Sequence, residues 1–416
     1  MKIEVINTGT ELLLGTTLNT HGAWLGQALF KLGLRIQRQS TVPDGEAISD
    51  ELKSAIERSD AIIVTGGLGP TSDDITREIV AKVLGVEMIE DEHAIRTIEY
   101  YFNSRGYFMA EANRKQALLP VGAEILVNPN GTAPGVYIPP RIGKGCAIFL
   151  LPGPPRELQP MFTNEVKPIL ESLVGGSVPQ DHRELKFTGI GESELHNKVD
   201  ELLNNVPDLE YGYCARPAEV DCRLIGSELA VAEGEKILKQ AYGEYCFSDN
   251  GQTMAQVIID LFEEDGHTLA IAESCTGGYI ASRLTDESGA SAAFDQSVVT
   301  YSNDSKVKLL GVEKELIEKH GAVSAPVAIA MAEGALDLSH DDYAIAVTGI
   351  AGPGGGTTEL PVGTVFLALA QYDHPTYVIR RHIRRGRKEF KFVVSQIALD
   401  MARRRMLEFS DLQDHF

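Results

Sequence analysis

Two stretches of this chain constrain its fold more than any other feature. In each, a short unbroken apolar run ends in a glycine turn and then gives way to a helical pattern. Ala61–Thr65 (AIIVT) leads into Gly66-Gly67-Leu68-Gly69-Pro70 and the helical pattern of Ile75–Leu84. Thr268–Ala272 leads into Glu273-Ser274-Cys275-Thr276-Gly277-Gly278 and the helical pattern of Gly277–Leu284. A run without polar alternation reads as a strand buried on both faces, and a helix following such a strand reads as a crossover to a parallel neighbour. The rhythm repeats elsewhere. Lys2–Asn7 and Arg35–Val42 are β-rich, Asn19–Leu32 places Trp24, Leu25, Leu29 and Leu32 at helical spacing, and Glu46–Arg58 is helical. The predicted class is α/β, with mostly parallel sheets covered by helices.

A chain of 416 residues is too long for one ordinary core. Three segments are expected: 1–172, 173–249 and 250–416. Gly175-Gly176-Ser177-Val178-Pro179 marks the first boundary and Ser248-Asp249-Asn250-Gly251 the second. The middle segment reads strand, helix, strand, strand, helix, with Glu184–Thr188, Ser193–Leu203, Glu219–Ile225 and Ala230–Tyr242 clearest. It suggests a small α+β connector without catalytic residue types. In the third segment Thr253–Glu264 reads as a helix, and Tyr343–Val347 and Thr364–Leu369 as buried strands. The formal charge of −21 opposes attraction to nucleic acid or anionic membrane. No apolar run is long enough for a membrane span, and the N-terminus does not read as a signal peptide. The cysteines Cys146, Cys214, Cys222, Cys246 and Cys275 are odd in number and form no CxxC pair, which fits a reduced cytoplasm.

Candidate chemistry in the third segment starts at Ser274, between a predicted strand and a predicted helix. Backbone amides at a helix start can hold a phosphate or the oxyanion of a tetrahedral intermediate. Ser274 is then a nucleophile; alternatively it or Thr276 is an N-cap. Cys275 is a rival nucleophile. An attacking serine needs a proton acceptor. His267 precedes the strand and His320 falls in a predicted loop, so neither suits. Lys306, with Tyr301 in YSNDSK beyond the Val298–Thr300 strand, can serve if burial or positive charge lowers its pKa; otherwise it is a solvated helix residue. Thr348–Gly356 (TGIAGPGGG) follows Tyr343–Val347, at the strand end where open α/β sheets bind ligands, although a mobile loop reads equally well. The basic run Arg380, Arg381, Arg384, Arg385, Arg387 and Lys388 is either a solvated face or the source of a phosphate clamp.

In the first segment, Gly66, Gly67 and Gly69 supply amides that can wrap a phosphate. Asp73 and Asp74 can hold a hard divalent cation, or can cap and charge-match the helix that follows.

The combination AESCTGG, YSNDSK, HGAVS, TGIAGPGGG and PVGTV resembles the C-terminal domain of the CinA family, the nicotinamide-nucleotide amidases. GTELLLG, Val42-Pro43-Asp44, GGLGPTSDD, Asn113 with Gln116-Ala117, GTAPG and LPGPPRE resemble the molybdopterin-binding-like domain at the front of the same family. The resemblance implies an N-terminal α/β/α sandwich, a KH-like α+β middle domain and a C-terminal α/β amidase domain. It implies deamidation of nicotinamide mononucleotide, with Ser274 as nucleophile, Lys306 as base and Tyr301 as a proton relay or orienting group. Cys275, Thr276, Gly277, Gly278, Thr348, Gly349 and Arg387 then surround the ligand, and this domain needs no cofactor. For the first domain it implies hydrolysis of ADP-ribose with a divalent metal, magnesium or manganese with cobalt a further option. Asp74 and Asp73 are the metal candidates, and Asp44 and the three glycines the ligand contacts. A homodimer is expected. The other function class is a non-catalytic nucleotide sensor or competence-associated regulator. Five places depart from the family pattern: Arg385-Gly386-Arg387 stands for Gly-Asp-Arg, Leu360 for a lysine, Gln296-Ser297 for a glycine pair, His21 for an asparagine, and Pro154-Pro155 for Val-Pro or Ile-Pro.

Overall fold

The computed structural model describes residues 1–175 and 180–409 and divides into two compact units, Met1–Pro179 and Gln180–Phe416. Most of the predicted boundary at Gly175–Pro179 lies outside the described residues.

The first unit holds a six-stranded sheet in the order Ile36–Val42, Ile3–Thr8, Ala61–Thr65, Ala147–Leu151, Gly135–Ile138, Glu124–Leu126. The first four strands are parallel, and the last two join antiparallel at one side. Alternation of side chains along each strand feeds two cores. Ala61 and Ile63 face one that includes Leu25, Leu29 and Phe162; Ile62 and Val64 face one that includes Leu52, Ala55 and Val80. This is an α/β/α sandwich.

The second unit combines two sheets. The first has four antiparallel strands in the order Glu210–Arg216, Glu219–Gly226, Asp181–Thr188, Cys246–Ser248. Helices Glu192–Asn204 and Glu228–Tyr242 share its core through Leu195, Val199, Val231 and Leu238. The short Cys246–Ser248 strand lies in what the sequence presents as the lead-in to a boundary. Here Ser248 Oγ accepts from the Gln252 amide at 2.9 Å, so the turn is fastened.

The second sheet has the order Phe294–Val299, Leu269–Glu273, Tyr343–Gly349, Thr364–Gln371, Tyr377–His382. Its first three strands are parallel and the last two antiparallel. Leu269 and Ile271 face the core shared by helices Met254–Asp265, Tyr279–Thr285 and Arg387–Met406. Ala270 and Ala272 face the core under helices Asn303–Leu310, Lys314–His320 and Ala325–Ser339. Local chemistry sets the helix limits: Thr253 Oγ1 accepts from the Gln256 amide at 3.1 Å, and Gly266 closes that helix in the left-handed region. Among the described residues, no helix is long and apolar enough to cross a membrane.

Candidate active sites at the carboxyl ends of two sheets

Three adjacent parallel strands of the second unit stop at the same level. Glu273 is in register with both Val299 and Val347, so Ser274, Thr300 and Thr348 emerge side by side. The Ser274 amide donates to Val347 O at 3.1 Å and the Thr300 amide to Glu273 O at 2.8 Å, which carries the pairing one step past the strands. Ser274 is 8% exposed.

Helix Asn303–Leu310 brings Lys306 to this point. Ser302 caps it: Ser302 Oγ accepts from the Ser305 amide, and Ser305 Oγ accepts from the Ser302 amide, each at 3.1 Å. Helical side chains lean toward the N-terminus, which here means toward the sheet end. Lys306 is 1% exposed, and its Nζ donates to Ser274 Oγ at 3.0 Å and to Thr300 O at 2.6 Å. Among the described residues it has no carboxylate partner. Burial holds its amine below the ordinary lysine range, with a small opposing pull from Cys275.

The turn after Ser274 is shaped by Gly277 and Gly278, at φ +62° and +85°, where a side chain would be strained. The Gly277 amide donates back to Ser274 O at 3.2 Å. The helix after this turn is capped from within the strand. The fully buried Glu273 carboxylate accepts from the Ile280 amide at 3.2 Å and the Ala281 amide at 3.0 Å. Those two amides are therefore spoken for. The Cys275, Thr276 and Gly278 amides, nearer Ser274, make no backbone hydrogen bond outside the regular elements. Cys275 itself is buried against the core, and burial pushes its thiol up to about 12.

Tyr301 is 64% exposed, and its hydroxyl meets Arg387 Nη2 at 3.2 Å rather than standing between Lys306 and Ser274. Arg387 Nη1 also donates to Gly352 O at 2.9 Å, tying the glycine-rich loop to Tyr301. The buried Thr348 hydroxyl donates to Ala322 O at 2.8 Å, which draws in the HGAVS stretch. Gly349 lies within the antiparallel pairing, where a Cβ would stand 2.8 Å from Thr364 O. Its lack of a side chain thus serves strand packing. His320 ends a helix and is exposed, and His267 lies before the Leu269–Glu273 strand beside Asp342. Neither histidine enters the site. Glu273 escaped the sequence reading; its signal is an acidic residue closing a buried strand just before a glycine turn.

The first unit presents its own strand ends. Residues after Ile3–Thr8, Ala61–Thr65 and Ala147–Leu151 line a cavity of about 410 Å³, with Asp44, Gly66, Gly67, Gly69, Asp73 and Asp74 among them. Asp74 Oδ2 accepts from the Thr71 amide at 3.0 Å and from the Thr71 hydroxyl. A Cβ on Gly69 would lie 2.3 Å from that oxygen, so glycine is what lets the carboxylate fold in. Asp44 Oδ2 accepts from the Thr10 amide at 3.0 Å and its hydroxyl at 3.1 Å. Neither Asp73 nor Asp74 caps the following helix, whose N-cap is Ile75. Lys115, which the sequence did not single out, holds the acidic turn by donating to Thr71 O at 3.0 Å and Asp74 O at 2.6 Å. His21 is buried and lies off the cavity lining, whereas Pro154 is part of it. Among the described residues, no three His, Cys, Asp or Glu groups converge as a metal cluster.

Comparison with known proteins agrees with this architecture. Residues 4–172 match the family described as "Probable molybdopterin binding domain", residues 182–244 the "Damage-inducible protein CinA KH domain", and residues 251–406 the "CinA C-terminal domain". A CinA-like protein of Akkermansia muciniphila is 48% identical over 399 residues, 96% of each chain. The chain belongs to the CinA family. A CinA-like protein of Geotalea uraniireducens is 38% identical over 98% of each chain. A crystal structure of a competence/damage inducible protein from Agrobacterium tumefaciens is 45% identical and covers 36% of this chain and 91% of its own, with a TM-score of 0.35.

Proposed function

We propose that the C-terminal domain hydrolyses the carboxamide of nicotinamide mononucleotide, releasing ammonia and nicotinic acid mononucleotide. The observation that carries this reading is a buried Lys306, without a carboxylate partner among the described residues, at 3.0 Å from Ser274 Oγ. Burial shifts the lysine toward its neutral form, and a neutral amine can accept a serine proton. The Thr300 carbonyl takes one N–H of the amine, which leaves the lone pair to Ser274.

Lys306 takes the hydroxyl proton as Ser274 Oγ bonds to the carboxamide carbon. The oxyanion is met by the turn amides not held in backbone hydrogen bonds, those of Cys275, Thr276 and Gly278. The carbon–nitrogen bond then breaks, and ammonia leaves with the proton returned by Lys306. Water, deprotonated by the same amine, cleaves the acyl ester and regenerates Ser274. Tyr301 and Arg387 lie at the rim, where they orient the ligand rather than relay the proton. Ammonia release from nicotinamide mononucleotide tests the proposal. Wild-type protein turns it over and Ser274→Ala loses about a thousandfold or more. A Ser274→Ala variant with near-normal turnover ends this reading.

For the N-terminal domain we propose hydrolysis of the ADP-ribose pyrophosphate to AMP and ribose 5-phosphate. Carboxylates outnumber cations on the cavity wall, where Glu11, Asp44, Asp73, Asp74 and Glu157 face only Arg156. A pyrophosphate cannot settle there without added positive charge. The oxygen-only donor set suits magnesium or manganese, which Asp74 and Asp73 would hold. The bound cation would neutralise phosphate charge and orient the attacking water.

A further inference from the structure

Two parts of the middle domain pack into the core of the C-terminal domain. One is Phe247, on the short strand that pairs with Asp181–Thr188. The other is Ala218, in the hairpin turn between Glu210–Arg216 and Glu219–Gly226. Ala218 takes φ +58°, where a side chain is strained, and Thr188 Oγ1 fastens it by donating to Ala218 O at 2.9 Å.

Glu219 follows that turn. Val220, Cys222 and Leu224 face the middle domain's own helices, so Glu219 and Asp221 face the opposite way, and both are buried. Asp221 pairs with Arg216 at 2.9 Å. Burial raises the Glu219 carboxylate's pKa, and the charges that oppose this are Lys186 first and then Arg283 of the C-terminal domain. Arg283 lies on helix Tyr279–Thr285, directly after the turn that starts at Ser274. Its direct partners are neutral. Nη1 donates to Ser395 Oγ at 2.7 Å and Nη2 to Gln396 Oε1 at 2.8 Å, both fully buried on helix Arg387–Met406. Glu219 is the carboxylate that most offsets the burial of this guanidinium, ahead of Glu287. The last helix is itself tied to the middle domain, where Arg403 Nη2 donates to Glu244 O at 2.6 Å and Arg404 Nη2 to Glu244 Oε2 at 3.0 Å.

We infer that the middle domain positions the nucleophile: Glu219, acting through Arg283, fixes helix Tyr279–Thr285 and with it the turn that carries Ser274. The kinetic part of this inference rests on the amidase reading above, and the ordering of the helix does not. A helix of seven residues cannot hold itself. Its place is set by Glu273 at its start and Arg283 near its end. Without the Glu219 charge, a half-buried guanidinium is left with neutral partners and is drawn toward water, taking the helix with it. A displacement of about 1 Å at a reacting group can cost about a hundredfold in rate.

Glu219→Gln keeps the shape and removes the charge, whereas Glu219→Asp keeps the charge. In the full chain, hydrogen exchange at the Ile280 and Ala281 amides is expected to be about tenfold or more faster in the Gln variant, with exchange at Leu185 and Phe187 of the middle-domain sheet unchanged. Its kcat for ammonia release should fall about tenfold with KM within about twofold, and Glu219→Asp should recover most of both effects. Arg283→Gln reads the same link from the other side. Adding Glu219→Gln to it should change neither readout by more than about twofold, because both act through one link. Unchanged exchange at Ile280 and Ala281 in Glu219→Gln, equal acceleration in the middle-domain sheet, an Asp variant as impaired as the Gln variant, or additive losses in the double variant overturn the assignment. If wild type releases no ammonia while Glu219→Gln loosens the helix, the amidase reading fails and the positioning role stands. If wild type turns over and the helix amides are indifferent to Glu219, the positioning role alone fails.

Discussion

The Lys306 amine offers the most searching test, because one group links rate and stability to pH. Its two hydrogen bonds, to Ser274 Oγ and Thr300 O, satisfy it without any counter-charge. Only the neutral amine can accept the serine proton. Below its folded pKa each pH unit reduces the neutral fraction tenfold, so kcat/KM should rise with unit slope in log units and level off below the ordinary lysine value of 10.5. Replacing it by Met keeps the length and removes the base, at an expected cost of about 10²–10⁴ in kcat/KM. The stability effect has a definite sign. A buried lysine whose folded pKa is lowered binds fewer protons in the native than in the unfolded state between that pKa and 10.5, so stability rises with pH across that window. Its unfavourable contribution is complete below the folded pKa, at about 1.4 kcal/mol for each unit of lowering. The Met variant removes that contribution but leaves Thr300 O without its partner, a loss of about 1–3 kcal/mol. Urea titrations of both proteins at several pH values, beside ammonia-release profiles, measure both effects. A wild-type kcat/KM that shows no rise with pH anywhere below 10.5 while the protein stays folded, or a Met variant with comparable turnover, would refute the role given to Lys306.

Three further outcomes are expected. Cys275→Ala should keep deamidation within a fewfold of wild type, because the thiol is buried and pushed up to about 12; loss of ammonia release in a folded variant would transfer the nucleophile role to the sulfur. Glu273→Ala removes the acceptor for the Ile280 and Ala281 amides and should lower stability in urea by about 1–3 kcal/mol, with an unchanged midpoint counting against the capping role. Asp74→Asn, or chelation of divalent cations, should abolish AMP formation from ADP-ribose and leave ammonia release intact; joint loss in folded protein would contradict independent sites.

Much of this structure is written in local patterns. Glu46–Arg58 and Ala61–Thr65 have the limits that their periodicity predicts, since each packs in the manner its pattern demands. Cys246–Ser248 was not legible because three residues carry no period, and its pairing with Asp181–Thr188 is a long-range event. The basic run misled in another way. Arg380 and Arg381 belong to the edge strand Tyr377–His382, so one turns outward and the other is buried with Ile379, and neither reads as a simple charged face. The site was legible in part. Ser274 stood out by its junction, but nothing in YSNDSK alone separates a buried lysine from a solvated one. A signal was nonetheless present, because Lys306 precedes Leu310 by four residues and both lie on the buried face, whereas Lys308 is exposed.

The two sites use one backbone device with opposite electrostatics. Each lies where parallel strands end and a glycine turn begins, and each has an acidic side chain folded back onto the turn or onto the helix that follows, Asp74 on Thr71 and Glu273 on Ile280 and Ala281. Around the first, carboxylates line the wall, so on the proposed reading a phosphate there would require a recruited cation. Around the second, Arg387 has no acidic partner among the described residues, while Glu273, which precedes the nucleophile in the chain, accepts from two helix amides. A carboxylate paired with Lys306 would favour the ammonium form and raise the amine's pKa. Glu273 is instead turned onto the helix amides, where it stabilises the turn, and among the described residues the Lys306 amine bonds only to Ser274 Oγ and Thr300 O, so on the proposed mechanism burial is left to shift the amine toward the neutral form that acts on Ser274.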